Sequence, residues 1–232
     1  AIAEAFSTSG LSLDFGAGTD TLTLSGVTTG LADADFANVT AGTLTNIALA
    51  NNTVNTVVLG SAAKTAGVVS ITASGSGVDT ITLHDGVTTV DADAGNDIIT
   101  IPAAGLEAAP TIDGGAASDT LILSDVTTGL VDADFANITV TELLTLAANT
   151  ANTVVLGSAS KTAGLVSVTA SGTGVDTITL SDAITTLDVD AGNDIITTTA
   201  ADAEAFSTSG HSLDFGAGTD TLALSDVTTG LV

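Results

Sequence analysis

Short runs alternate apolar and polar residues along the whole chain. Thr80-Ile81-Thr82-Leu83 is typical: on a strand it presents one apolar and one polar face, because successive side chains point to opposite sides. The runs are rich in Thr, Val, Ile and Leu and are bounded by Gly, Asn, Asp and Ser, the signature of short strands between turns. No long segment keeps a helical period. The nearest, TVTELLTLAANT at 139–150, aligns with the Gly- and Thr-rich TAGTLTNIALANNT, and strand is the expectation for both.

The pattern repeats on two scales. VTTGLADADFANVT (27–40) returns as VTTGLVDADFANIT (126–139), an offset of 99, and the block at 55–83 returns at 152–180, an offset of 97. AEAFSTSG (3–10) and LDFGAGTDTL (13–22) both return 200 residues later. The chain therefore holds a first unit (1–110), a second (111–210) and the start of a third (211–232). The first unit carries two extra residues between Asn38 and Thr56 and the second four extra near 198–212, both expected in loops.

Within each unit GTDTLTL, TVNTVVL, GVDTITL and GNDIITI share one plan: a turn, an Asp or Asn, then alternating strand formers. Those Asp or Asn positions are 20, 55, 79, 97, 119, 152, 176, 194 and 220, which makes nine apparent coils spaced 18 to 35 residues apart. The expected fold is all-β: one continuous parallel β-solenoid, β-roll-like or β-helix-like, of about nine coils stacked about 4.8 Å apart. An antiparallel β-sandwich is the competing architecture, since it too has short strands at even spacing.

Composition narrows the function classes. Of 232 residues 27 are acidic and two are basic, for a net charge of -25, yet 44% are hydrophobic. That apolar content predicts a buried core rather than a disordered acidic tail. The charge repels itself unless something cationic binds, and it excludes nucleic acid and anionic membrane surfaces as partners. No disulfide can form without cysteine, and no apolar run reaches 18 residues, so no membrane insertion is expected. The chain starts at Ala with no signal peptide, as a piece of something longer does.

The turns carry the candidate chemistry. FGAGTDTLT (15–23), SGSGVDTIT (74–82), GGAASDTLI (114–122), SGTGVDTIT (171–179) and FGAGTDTLA (215–223) follow the nonapeptide G-G-x-G-x-D-x-U-x at four of five fixed positions. ADAGNDIIT (92–100) and VDAGNDIIT (189–197) follow it at three, with an Asp where the second glycine stands. Calcium takes six to eight oxygen ligands from carboxylates and backbone carbonyls, and glycine lets a turn aim its carbonyls inward. On these motifs the chain resembles the RTX, or hemolysin-type, calcium-binding repeat proteins of bacteria. That resemblance implies several Ca2+ ions between neighbouring turns, with two nonapeptides per 18-residue coil. Asp79 and Asp97, and likewise Asp176 and Asp194, are 18 residues apart and are expected one coil apart on one edge. Asp91, Asp93, Asp188 and Asp190 would complete those shells. Asp14, Asp20, Asp113, Asp119, Asp214 and Asp220 form the further candidate sites, while the Asn55 and Asn152 turns are expected to be metal-free.

Other constellations are weaker. His84 aligns with Ser181 and His211 with Leu11, so neither histidine supports a repeated function, and both are expected as exposed turn residues. Lys64 and Lys161 correspond, and each is expected to pair with a nearby Asp. Asp33, Asp35 and Asn38 in LADADFAN are expected in a solvated loop, with an oxygen cluster as the alternative. Phe6/Phe206, Phe15/Phe215 and Phe36/Phe135 are expected core plugs. No enzyme is expected. The DADFANVT and NTVVLGSAAKTAG blocks resemble stretches of large surface-layer and adhesin-like proteins. That resemblance implies a secreted, cell-surface structural segment that self-assembles head to tail or in a lattice. The alternative is the stalk or ligand-binding region of a calcium-dependent adhesin, with a cell-surface polysaccharide as a candidate partner.

Overall fold

The protein, as a computed structural model, is described over residues 12–26, 29–208 and 210–226. Its strands are short, most of three or four residues, and every strand pair among the described residues is parallel. The antiparallel sandwich is therefore excluded. The strands form a six-stranded, a nine-stranded and a four-stranded sheet, with a two-stranded pair, Ala191–Gly192 on Ala217–Gly218. This arrangement is compatible with a parallel β-solenoid.

The strand order explains how one core serves the whole chain. The six-stranded sheet runs Thr21–Thr23, Asn46–Ala48, Ser70–Thr72, Thr89–Asp91, Thr111–Asp113, Ile138–Thr139. The nine-stranded sheet interleaves with it, running from Thr29–Leu31 through Thr80–Thr82, Ile98–Ile101, Thr120–Leu123 and Leu143–Leu146 to Ser212–Asp214. The four-stranded sheet is Thr153–Val155, Thr177–Thr179, Ile195–Thr198 and Thr221–Leu224. Both units thus contribute strands to the nine-stranded sheet, and its register places like on like: Ile81 on Ile99, Ile99 on Leu121, Leu121 on Leu144. These side chains are fully buried, and each such burial contributes about 1.5–3 kcal/mol. Phe36 and Phe135 lie in the same core, and Phe15, Phe206 and Phe215 pack against it half-buried. Phe6 lies outside the described residues.

Among the described residues four short α-helices depart from the all-β expectation, α1 (Ser61–Ala66), α2 (Ala103–Glu107), α3 (Ser158–Ala163) and α4 (Ala200–Thr208), beside two single 3-10 turns at Asp33–Phe36 and Asp132–Phe135. The four extra residues of the second unit fall in the region of α4, not in a plain loop. Helices this short show no readable period. Thr199 caps α4 locally, accepting from the Asp202 N–H, but all four helices also begin on a group from elsewhere in the chain. Asp33 accepts hydrogen bonds from the backbone N–H groups of Gly60, Ala62 and Ala63 (2.7, 3.1 and 2.9 Å) at the start of α1. Asp132 does the same for Gly157, Ala159 and Ser160 at α3 (2.7, 2.9 and 2.9 Å). Asp125 accepts from Ala103 and Asp226 from Ala200. Each helix thus begins on a carboxylate 22 or more residues away. Asp33 and Asp132 are therefore neither a solvated loop nor an oxygen cluster. Burial works to raise both carboxyls, but the N–H bonds outweigh it and hold them below their ordinary value.

Candidate metal-binding corners

The candidate ligands divide among three corners, each where the chain turns from one sheet into the next. Asp79, Asp91, Asp93, Asp97, Asp113 and Asp119 lie where it leaves the six-stranded sheet for the nine-stranded one. Asp176, Asp188, Asp190, Asp194, Asp214 and Asp220 lie where it leaves the nine-stranded sheet for the four-stranded one. Asp14 and Asp20 stand apart, between the bridge Leu13–Val39 and the first strand of the six-stranded sheet.

An inner column runs up each of the two larger corners. Asp79 Oδ1 accepts from the Asn55 N–H (2.8 Å), Asp97 Oδ1 from Asp79 (2.6 Å), Asp119 Oδ1 from Asp97 (2.7 Å), and Glu142 Oε2 from Asp119 (2.8 Å). At the other corner Asp176 Oδ1 accepts from Asn152 (2.8 Å), Asp194 from Asp176 (2.8 Å) and Asp220 from Asp194 (2.9 Å). The 18-residue pairs are thus stacked as the spacing predicted. Each carboxylate takes up a backbone N–H that the sheet ladder leaves over at the bend.

The second oxygens are the anomaly. Oδ2 of Asp97, Asp119 and Asp194 is buried with no hydrogen-bond partner, as is Oδ2 of Asp20. The Asn turns reveal what this position asks for. Asn55 Nδ2 donates to the carbonyls of Ala50 and Thr53, and Asn152 Nδ2 donates to those of Ala147 and Thr150. A carboxylate in the same place of the turn has no hydrogen to give. Burial raises the carboxyls of Asp79, Asp119 and Asp194, and it lifts Asp97, with like charges above and below it, to about 6.

An outer set lies closer to solvent. Asp91 and Asp113 are register partners on adjacent strands, as are Asp188 and Asp214, and like charges so placed repel. Asp93 and Asp190 adopt left-handed backbone (φ 66° and 54°), the conformation that Gly75 and Gly172 take at the same turn position. Asp tolerates it better than most residues. Their carboxylates also accept the N–H groups of Gly75 (2.6 Å) and Gly172 (3.0 Å) one coil below. The coils approach closely here: a Cβ on Gly115 or Gly216 would overlap the carbonyl oxygen of Asp93 or Asp190.

Orphaned carboxylate oxygens beside turn carbonyls fit a hard cation that binds oxygen. Among the described residues no three His, Asp or Glu side chains converge on one point, so carbonyls must supply much of any shell. The basic side chains are already engaged: Lys64 pairs with Asp85 (2.6 Å) and Lys161 with Asp182 (2.7 Å), all half-exposed. His84 corrects the expectation of exposure. It is buried, its Nδ1 accepts from the Gly86 N–H (3.0 Å), and burial holds its pKa down. His211 is half-buried, edge-on to Phe206 with ring centres 5.7 Å apart.

No helix among the described residues is long and apolar enough to cross a membrane. No protein-family model, curated protein or solved structure matches this chain.

Proposed function

We propose that the chain is a structural segment: one continuous parallel β-solenoid of about nine coils, stapled by calcium at its acidic corners, without enzymatic activity. The observation that carries this reading is the set of buried, unpartnered carboxylate oxygens at Asp97, Asp119 and Asp194, standing where Asn55 and Asn152 place a donor. Leaving such a group unsatisfied costs about 1–3 kcal/mol or more, and a divalent ion removes that cost while offsetting part of the charge of -25. Asp79 and Asp176 share those columns. Asp91, Asp93, Asp188 and Asp190 add charge at the same turns, as do Asp113 and Asp214 on the adjoining strands. The motif resemblance supports a rod outside a bacterial cell, in a surface layer or extracellular filament.

Metal analysis after exhaustive dialysis, together with electron microscopy of the calcium-loaded chain, tests this reading. It expects several tightly held Ca2+ ions per chain and ordered filaments or sheets. Calcium-loaded rods that stay single but bind a polysaccharide would favour the adhesin reading instead. A chain that retains no calcium would overturn the metal assignment.

A further inference from the structure

Equivalent strands of successive units do not lie in the same sheet. Thr21–Thr23, Asn46–Ala48, Ser70–Thr72, Thr89–Asp91 and Thr111–Asp113 belong to the six-stranded sheet. Their counterparts Thr120–Leu123, Leu143–Leu146, Ser167–Ala170, Thr186–Asp188 and Ser212–Asp214 all belong to the nine-stranded sheet. The second strands of the first unit, such as Thr80–Thr82 and Ile98–Ile101, are in the nine-stranded sheet, and their counterparts are in the four-stranded one. The hand-over is visible in the register: Thr100 of the first unit lies beside Ile122 of the second in the nine-stranded sheet, while Thr139 lies beside Asp113 in the six-stranded one.

We infer that the repeat is a screw that advances by one sheet per unit, so that the two acidic corners are separate cation-binding columns on different sides of the molecule. The hydrogen-bonded columns agree. One ends at Glu142 and the other begins at Asn152, and they share no member. The buried orphan oxygens fall in both, Asp97 and Asp119 in the first and Asp194 in the second. The short Asp14–Asp20 turn precedes the six-stranded sheet, as Asp113–Asp119 precedes the nine-stranded one and Asp214–Asp220 the four-stranded one. The acidic corner therefore moves one junction with each unit. Successive units would display their divalent ions on successive sides, not along a single stripe.

This inference rests on the cation reading above for its ligand, but not for its geometry, and two arms separate them. The chain has no cysteine, so paired cysteines can be placed cleanly on the calcium-loaded protein. Thr100→Cys with Ile122→Cys should react with a short bifunctional thiol reagent, and Ile122→Cys with Thr139→Cys should not. The reverse result overturns the screw. For the ions, Asp79→Asn/Asp97→Asn and Asp176→Asn/Asp194→Asn are conservative, because Asn55 and Asn152 already occupy that place in the column. At saturating calcium each pair should remove only its own corner's ions, and the two losses should add in the fourfold variant, as for distant sites. Loss of all ions from either pair alone overturns the separation of the columns while leaving calcium binding standing. Absence of calcium from the parent chain overturns the cation columns and leaves the screw to be decided by the thiol arm.

Discussion

Asp97→Asn should have opposite effects with and without calcium. In the calcium-free chain the Asp97 carboxyl is raised from 3.8 to about 6 by burial and by its neighbours Asp119, Asp79 and Asp93. A folded-state pKa above the unfolded value means that stability is fully present below about pH 4 and is lost as pH rises through 6. The rise corresponds to about 3 kcal/mol of destabilisation at pH 8. Asn keeps an acceptor for the Asp79 N–H and brings a donor, as Asn55 does, so Asp97→Asn should recover about 3 kcal/mol in chelator at pH 8. For a chain of this size that is about 6–12 °C in melting temperature. At pH 4 the gain should vanish. With calcium present the same substitution removes a ligand and should lower stability. The assay is thermal unfolding by circular dichroism at pH 4, 6 and 8, in chelator and in calcium. If the calcium-free chain is unfolded at pH 8, strand signal should return on acidification toward pH 4. Destabilisation by Asp97→Asn in chelator at pH 8 would refute the reasoning.

Further outcomes follow from the same geometry. Asp33→Ala strips three N–H bonds from the start of α1 and should cost about 2–4 kcal/mol in denaturant unfolding, as should Asp132→Ala at α3. Because those two carboxyls are held below their ordinary value, their contribution is present above the usual carboxylate range and lost as pH falls below it. Calcium-free stability should thus fall again at strongly acidic pH. Gly115→Ala should prevent close stacking over Asp93, whereas Gly129→Ala, with open space around it, should leave the melting temperature within a few degrees. Ala117 sits at φ 106°, so Ala117→Gly should raise stability by about 1 kcal/mol. Lys64→Ala should leave the melting temperature nearly unchanged, because the pair it forms with Asp85 is half-exposed and screened by solvent.

The strands were legible because alternation at Thr80-Ile81-Thr82-Leu83 needs only local sequence, and the 18-residue spacing of Asp79 and Asp97 carried the stacking. The helices were not, because α1 has six residues and its cap, Asp33, lies 27 positions before Gly60. For the same reason the capping role of Asp33, Asp125, Asp132 and Asp226 could not be read from the sequence, whereas Lys64 and Lys161 do pair with nearby acids, Asp85 and Asp182. The sequence repeat also hid the change of sheet, since GNDIIT reads alike at 95–100 and 192–197 whichever sheet receives it. The strand order, and the pairing of Thr100 with Ile122 across the unit boundary, expose that step. His84 was misjudged because its counterpart Ser181 is equally buried, which no comparison of the two residues conveys.

The most direct test of a calcium-stapled parallel stack is the far-ultraviolet circular dichroism of the intact chain at pH 8, first in excess chelator and then on back-titration with calcium. The buried carboxylate columns predict a reduced strand signal in chelator that rises to its full value as calcium is added. A full strand spectrum in excess chelator, unchanged by calcium, would contradict the account.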